Sequence, residues 1–350
     1  MLEPLLQVPD SLVDARGEVS IGVYEGPLRR VHLEEATVAV KGIALPRFLR
    51  RFRLKRWQHY GLVLPDLFVG LAIVDAGFLR TAWCSVVDRT TGESFEHQRK
   101  GPLLDLVIPD VLWDGRAYLR APGFNLEIHN HLDGGEHSLS LRIAGRQGLP
   151  AVRAELRCLD IPGKCQPMVV VLPVGARNAM YSHKAALPLV GSIEVGGREV
   201  PADQDEAFAI LDIHEASYPH HTWWRWATFA GRHRDGRAIA MNLTENPNEQ
   251  DDRWNENGIW VDGWLHRLDR ARFHFDEQDL LRPWHLSSVD GAVDLTFTPQ
   301  GERQEHLDLG LVKSTFHQPW GTFAGRLRVA GESIDIADFF GVCEDHDARW

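Results

Sequence analysis

Residues 207–264 carry the side-chain types from which an acid/base or ligand-binding site is built. Six of the twelve tryptophans fall in this stretch, among many His, Asp, Glu, Arg and Asn residues. In the run from Phe208 to His214, alternation along a strand puts Asp212 on the same face as Phe208 and Ile210. A carboxylate among apolar side chains is either paired with a cation or has a raised pKa, which a general acid at neutral pH requires. A buried structural aspartate bonded to Arg225 or to an indole explains the same pattern.

The run 221–229 carries indoles on both faces of a predicted strand. Trp223 and Arg225 share one face, and Trp224 and Trp226 share the other. Because both faces are bulky and apolar, we expect a neighbouring domain or loop to cover the outside. Aromatic walls beside one arginine suit a large apolar ligand that carries one polar or anionic group. A tryptophan-rich core between domains is the alternative.

Three further residues are candidates for polar groups in such a site. Asn242 follows Ala238 and Ala240 on a face of small residues, which leaves room for a polar anchor in a pocket. Glu256 lies in a turn that closes an acidic, Asn-rich loop, and a solvated loop is the alternative. Glu344 lies near His346 and several aromatic residues, an arrangement that suits acid/base chemistry. An exposed charged tail is the plainer explanation of that last segment.

A possible metal site lies in the predicted hairpin 123–145. His129, His131, Glu136 and His137 nearly reproduce the metal-ligand spacing of cupins. The second half of a cupin motif is missing, and the LDGG tip predicts solvated histidines near a hairpin end. The chain also has no GxSxG elbow, Walker loop or post-strand GxGxxG motif. We therefore expect no metal and no cofactor.

The elements that must position these residues are predicted to be β-strands. Short runs of alternating polarity separated by Gly, Asp and Asn turns recur along the chain, and helical periodicity does not persist. At 350 residues, the chain exceeds the usual size of a single core. A Pro- and Gly-rich segment at 146–176 is the predicted junction. The prediction is an all-β protein with two antiparallel barrels, 1–165 and 166–350, the second of which carries most of the site.

Composition limits the partners of the protein. A formal charge of -11 and a pI near 5.8 argue against nucleic-acid binding. No apolar stretch approaches the roughly 20 residues needed to span a bilayer, and four cysteines without paired spacing favour a cytoplasmic protein. The basic run 47–56 is either a peripheral surface for anionic lipid or an acidic partner, or a solvated face. The oligomeric state stays open.

Several longer segments together resemble a known family. They are LDIHEASYPHHTWWRWATFAG, AIAMNL, WNENGIWVDG and FFGVCEDH, and they occur in matching order. The chain resembles, over essentially its whole length, the bacterial family catalogued as domain of unknown function 2804. That family is distantly similar to tandem lipocalin-like proteins, namely carotenoid hydratases (hydroxyneurosporene synthases), tocopherol cyclases, AttH-like proteins and fungal cyclases. The resemblance implies two lipocalin-like β-barrels with a ligand cavity at or near their interface.

The residues and the resemblance together give a functional hypothesis. We expect a cofactor-independent hydratase, cyclase or isomerase that acts on an isoprenoid- or lipid-like small molecule. Asp212 or Glu256 would protonate an alkene or epoxide, and indoles would shield or stabilise the developing cation. The predicted catalytic residues are Asp212, Glu256 and Arg225; the predicted ligand-binding residues are Tyr181, Lys184, Tyr218, Trp224, Trp226, Asn242, Asn257 and Glu344. A carrier that sequesters a hydrophobic ligand without chemistry is the alternative hypothesis.

Overall fold

The computed structural model describes residues 2–37, 39–40, 43–50, 52–175, 178–248 and 250–349. The strands, in chain order, are β1 Leu5–Leu6, β2 Gly22–Tyr24, β3 Ala39–Val40, β4 Ile43–Ala44, β5 Leu54–Val63, β6 Leu67–Asp75, β7 Arg80–Asp88, β8 Ser94–Gly101, β9 Asp105–Val107, β10 Gly115–Ala121, β11 Phe124–His131, β12 Glu136–Ile143, β13 Val152–Leu159, β14 Met168–Pro173, β15 Ala179–Val195, β16 Arg198–Ala202, β17 Phe208–Ser217, β18 His221–Arg232, β19 Ala238–Glu245, β20 Gly258–Val261, β21 Trp264–Arg267, β22 Ala271–His274, β23 Trp284–Ser288, β24 Val293–Asp308, β25 Lys313–Val329 and β26 Glu332–Arg349. Among the described residues, helix is limited to short segments at Leu33–Glu35, Arg47–Arg50 and Leu132–Gly134. The predicted all-β class is confirmed.

The first sheet forms one curled wall. Its strand order is β8-β7-β6-β5-β17-β15-β13-β12-β11-β10-β9, and β14 and β16 also pair with β15. The sheet curls enough for β6 to approach β9 and β10. Alternate side chains therefore fill its concave side, where Leu62, Leu126 and Tyr181 are fully buried.

The long strand β15 connects the two parts of this sheet. Residues 180–188 pair with β17, and residues 189–195 pair with β13. Gly191 has φ of +118°, and a Cβ there would lie 2.2 Å from the carbonyl oxygen of Glu155. Only glycine allows this close approach, which lets the strand change partners without a break.

The second sheet has the order β21-β20-β19-β18-β26-β25-β24-β23-β22. It curls until β22 approaches β19. Its own core contains Phe229, Trp284, Phe297 and Phe323, all fully buried. The two curled sheets give the predicted lipocalin-like architecture.

A third apolar cluster lies between the two sheets. The alternation predicted for β17 holds, because Leu211 belongs to the core of the first sheet whereas Phe208 and Ile210 belong to the cluster between the sheets. The chain passes from the first sheet to the second between Ser217, which pairs with β5, and His221, which pairs with β26. The predicted division into 1–165 and 166–350 concerns folding units and stays a prediction. Within the described part of the chain, no helix is long and apolar enough to cross a membrane.

Candidate functional site

A cavity of about 200 Å³ lies between the two sheets. Strands β5 to β8, β15 and β17 line it from the first sheet, and β18, β19 and β24 to β26 line it from the second. Five indoles form much of its wall: Trp57, Trp83, Trp223, Trp224 and Trp226. The cavity is apolar in most of its surface, with a few converging polar groups, as is typical of small-molecule sites.

Strand register brings the polar groups of the first sheet together. Antiparallel pairing aligns Lys184, Asp212, His59, Ala72 and Trp83 in one row across β15, β17, β5, β6 and β7. Directly opposed side chains in neighbouring strands share a face of the sheet. The whole row therefore faces the second sheet and lines the cavity.

Two carboxyl groups share one ammonium at the centre of the site. Lys184 Nζ lies 2.8 Å from Asp212 Oδ1 and 3.5 Å from Glu256 Oε1. Trp57 Nε1 donates a hydrogen bond of 3.1 Å to Asp212 Oδ2. All three charged residues are buried. One cation cannot neutralise both acids fully, so their pKa values are pushed in opposite directions.

Asp212 is the ionised member of this pair of acids. Burial alone would raise its pKa, but the charge of Lys184, the neighbouring His214 and the hydrogen bonds from Lys184 and Trp57 lower the pKa to about 2. Of the two alternatives that the sequence left open, a paired carboxylate or one with a raised pKa, the structure supports the paired one. At neutral pH it is an ion-pair partner that fixes Lys184.

Of the two acids beside Lys184, Glu256 is the one that holds a proton more readily. Burial raises its pKa, and the nearby charge of Asp212 adds to this, whereas Lys184 opposes it. Asn242 Nδ2 donates to the Glu256 backbone carbonyl, and Asn246 Nδ2 lies 3.4 Å from Glu256 Oε2. The loop that carries Glu256 is thus held against β19, and its side chain is buried rather than solvated.

A second protonatable acid comes from the last strand. Trp226 pairs with Glu344 across β18 and β26. Trp224 Nε1 donates to Glu344 Oε1, and Gln318 Nε2 donates a 3.0 Å bond to Oε2. Burial raises the pKa of Glu344 to about 7 although both donors oppose this. The segment is therefore part of the cavity wall and not an exposed tail.

Histidines in the cavity wall are neutral. His214 stacks on Trp57 at 3.9 Å between ring centroids and shares a 2.7 Å hydrogen bond with the hydroxyl of Tyr218. Burial lowers the pKa of His214 to about 3, of His59 to about 4 and of His346 to about 3. These rings act as aromatic wall and hydrogen-bond partners rather than as cations.

A second charged cluster lies where β8 meets β24. Arg303 contacts Glu96 and lies 3.5 Å from Glu305, which also contacts Lys100. Gln98 Nε2 donates a 3.1 Å bond to Glu305. Sequence reasoning missed this cluster. The only local signal was that Arg303 and Glu305 share one face of β24.

Seven predicted residues line the cavity: Asp212, Glu256, Lys184, Tyr218, Trp224, Trp226 and Glu344. Four others do not. Arg225 pairs with Glu245 at 3.3 Å and Asp345 at 3.4 Å, away from Asp212. Tyr181 belongs to the core of the first sheet. Asn242 and Asn257 accept hydrogen bonds from Trp226 Nε1 and Thr244 N, which gives them positioning roles.

The remaining sequence candidates have ordinary structural partners. His129 and His131 stack outside the first sheet, whereas His137 is fully buried and bonded to Asn130. These histidines do not converge, and the described residues contain no cluster of three or more His, Cys, Asp or Glu suited to a metal.

In the basic run 47–56, most described basic groups bind the protein itself. Arg50 donates to the Ala36 carbonyl, Arg53 to the Tyr218 carbonyl, and Arg56 pairs with Asp110. Arg51 lies outside the described residues. A peripheral surface in this run therefore has fewer available cations than the sequence indicates.

The raised pKa of Glu344 predicts a pH-dependent stability. Because the folded protein holds this proton more tightly than the unfolded chain does, the contribution is full at low pH and is lost as the pH rises through about 7. The stability of wild type relative to Glu344→Gln should therefore fall between about pH 5 and about pH 8. Urea unfolding at both pH values measures this, and a difference that stays constant or grows with pH contradicts it.

The fold and the cavity together define a class of protein, a lipocalin-like pair of β-sheets that enclose a hydrophobic cavity with a buried group of ionisable side chains. The family model described as Domain of unknown function (DUF2804) matches residues 3–350. The chain therefore belongs to this family, and the predicted resemblance is confirmed.

Three solved structures are similar to the chain, and the first of them, with a TM-score above 0.5, supports the same fold. A structure of CghA with Sch210972 is 10% identical, with a TM-score of 0.53 over 85% of this chain and 88% of that chain. Kievitone hydratase from Nectria haematococca gives 10% identity and a TM-score of 0.47 over the same shares. An AttH-type protein from Nitrosomonas europaea gives 16% identity and 0.44, over 88% and 98%. No curated protein matches the chain.

Proposed function

We propose that the protein is a cofactor-independent acid/base enzyme of the hydratase, cyclase or isomerase type, acting on a hydrophobic isoprenoid- or lipid-like molecule. The observation that carries this proposal is the buried centre of Lys184, Asp212 and Glu256 inside an indole-walled cavity. A carboxyl group with a raised pKa next to a fixed ion pair is the arrangement expected of a general acid. The cytoplasm remains the proposed location.

The reaction begins with proton transfer from the Glu256 carboxyl to an alkene carbon of the ligand. A C–H bond forms, the π bond breaks, and the neighbouring carbon becomes electron-deficient. In a hydratase, water adds to that carbon and returns its proton to the Glu256 carboxylate. In an isomerase, the cation loses a proton from an adjacent carbon to the Glu256 carboxylate, and a new π bond forms. In a cyclase, a second π bond of the ligand first attacks the cation and forms a C–C bond, and the new cation then loses a proton to the Glu256 carboxylate. In each of the three reactions Glu256 regains its proton, while the ion pair of Asp212 and Lys184 stays unchanged.

The solved neighbours agree with this proposal in a general way. One carries Sch210972, a small-molecule ligand, and another is named a hydratase. At such low identity they bear on the fold alone, so the proposal rests on the cavity. An apolar carrier would have no need for a buried carboxyl with a raised pKa beside the ligand space.

Deuterium incorporation tests the proposal with a mixture of lipids in place of a chosen substrate. The purified protein is incubated in D2O with a lipid extract of its source cells, and the lipids are analysed by mass spectrometry. We expect one lipid species or its product to gain deuterium at a carbon that does not exchange without protein. If a lipid co-purifies with the protein but no carbon-bound label appears, the carrier function is correct and the enzymatic proposal is wrong.

A further inference from the structure

We infer that the cavity takes an uncharged ligand, because most of the protein's own charges near it are paired with each other and two of its indoles already hold cations. This inference rests on the proposed function and narrows its substrate class. An anionic or cationic ligand would have to displace a buried partner in order to be neutralised. Displacing one member of a buried pair is costly, because the other charge is left without compensation.

Lys184, the cation at the centre of the site, is not available to an anionic ligand. Lys184 Nζ has Asp212 at 2.8 Å and Glu256 at 3.5 Å, so two acids already surround one ammonium. A carboxylate or phosphate brought to this point would add a negative charge to a site that contains one ionised acid. The position instead suits a neutral group such as a carbonyl, a hydroxyl or an alkene.

The cations of the second charged cluster are also paired with carboxylates. Arg303 contacts Glu96 and lies 3.5 Å from Glu305, and Lys100 contacts Glu305. Two cations thus face two carboxylates, and the cluster has no net charge. Lys55 also lines the cavity, but its ammonium donates to the carbonyls of Phe52 at 3.2 Å and Ala76 at 2.9 Å. Burial lowers the pKa of Lys55 to about 7, which weakens it further as an anion site.

A cationic ligand is disfavoured because the aromatic faces are occupied. The Arg303 guanidinium lies 4.1 Å from the ring centroid of Trp83, and Lys184 Nζ lies 5.5 Å from that of Trp226. His214 covers Trp57. Each of these contacts uses a ring face that a ligand ammonium would need. Asp212 and Glu305 are paired with cations, and Glu344 accepts hydrogen bonds from Trp224 and Gln318. A cationic ligand would have to compete with these partners.

Three ligands with one tail and different charges test the inference. Binding of decan-1-ol, decanoate and decylammonium is measured by calorimetry at neutral pH. We expect decan-1-ol to bind at least about tenfold more tightly than either ion, a difference of about 1.4 kcal/mol. Tighter binding of either ion overturns the inference and leaves the proposed enzyme intact. If none of the three binds, the hydrophobic cavity does not function as a ligand site, and the proposed function falls as well.

A substitution in the second charged cluster tests whether charge pairing is the reason that the cavity disfavours an anionic ligand. Glu305→Gln leaves Lys100 and Arg303 with only Glu96 between them, so decanoate should bind about tenfold more tightly than to wild type. Decan-1-ol should bind as before, which also reports an intact cavity. Glu302→Gln is the matched control, because Glu302 lies on the same strand but pairs with His317 at 2.6 Å. An unchanged ratio of decanoate to decan-1-ol affinity in Glu305→Gln contradicts charge pairing as the cause. If that variant loses decan-1-ol binding, Glu96→Gln replaces it with the same expectation.

Discussion

Replacing Lys184 with methionine is expected to lower the free energy of unfolding at neutral pH by about 3–5 kcal/mol. The side chain is fully enclosed and is the cation closest to both Asp212 and Glu256. Without Lys184, Asp212 must either stay charged in an apolar site or take up a proton. Taking up a proton loses the stabilisation that the lowered pKa of Asp212 represents. Urea unfolding followed by tryptophan fluorescence measures the change.

Two controls separate this effect from loss of volume or of surface charge. Lys313→Met removes an exposed lysine paired with Asp308 at 2.8 Å and should cost less than about 1 kcal/mol. Adding Asp212→Asn to Lys184→Met should recover part of the loss, because no ionised carboxylate then remains unpaired. A loss below about 1 kcal/mol for Lys184→Met would mean that the buried pair is not charged as described.

Replacing Glu256 with glutamine is expected to reduce the rate of deuterium incorporation by about 10²–10⁴-fold. The amide keeps the size of the side chain but has no proton to transfer at neutral pH. Decan-1-ol affinity should change little, since the cavity keeps its shape. The rate is measured with the lipid species that wild type labels in D2O.

Glu344→Gln is the comparison for this variant. Both acids are buried and line the cavity, but only Glu256 lies beside Lys184 and Asp212. We expect a smaller loss for Glu344→Gln. If Glu344→Gln abolishes labelling and Glu256→Gln does not, then Glu344 is the proton donor and the assignment of Glu256 is wrong.

Local alternation predicted the strand faces of several candidate residues correctly. Period two along 208–214 and 221–229 placed Asp212, Trp224 and Trp226 on the faces that meet between the sheets. Arg225 does not line the cavity, and the reason is non-local. The predicted alternation along β18 is correct, but the acids that pair with Arg225, namely Glu245 and Asp345, come from the neighbouring strands β19 and β26. The sequence alone does not show which strands lie next to β18.

The rest of the site depends on pairing between distant strands. Lys184 and Asp212 are 28 positions apart, and only the register of β15 and β17 makes them neighbours. Gln98 and Glu305 are 207 positions apart and come from different sheets. The lowered pKa of Asp212 follows from these contacts. The direction of this pKa shift could therefore not be predicted from the apolar neighbours along its own strand.

The infrared spectrum of the protein tests the central claim most directly, namely that the cavity holds a carboxylic acid protonated at neutral pH. We predict a C=O stretching band of a protonated carboxyl group in wild type, shifted in D2O, of which one component is missing from Glu256→Gln. The absence of such a band at neutral pH, or a band that Glu256→Gln leaves unchanged, would contradict the account.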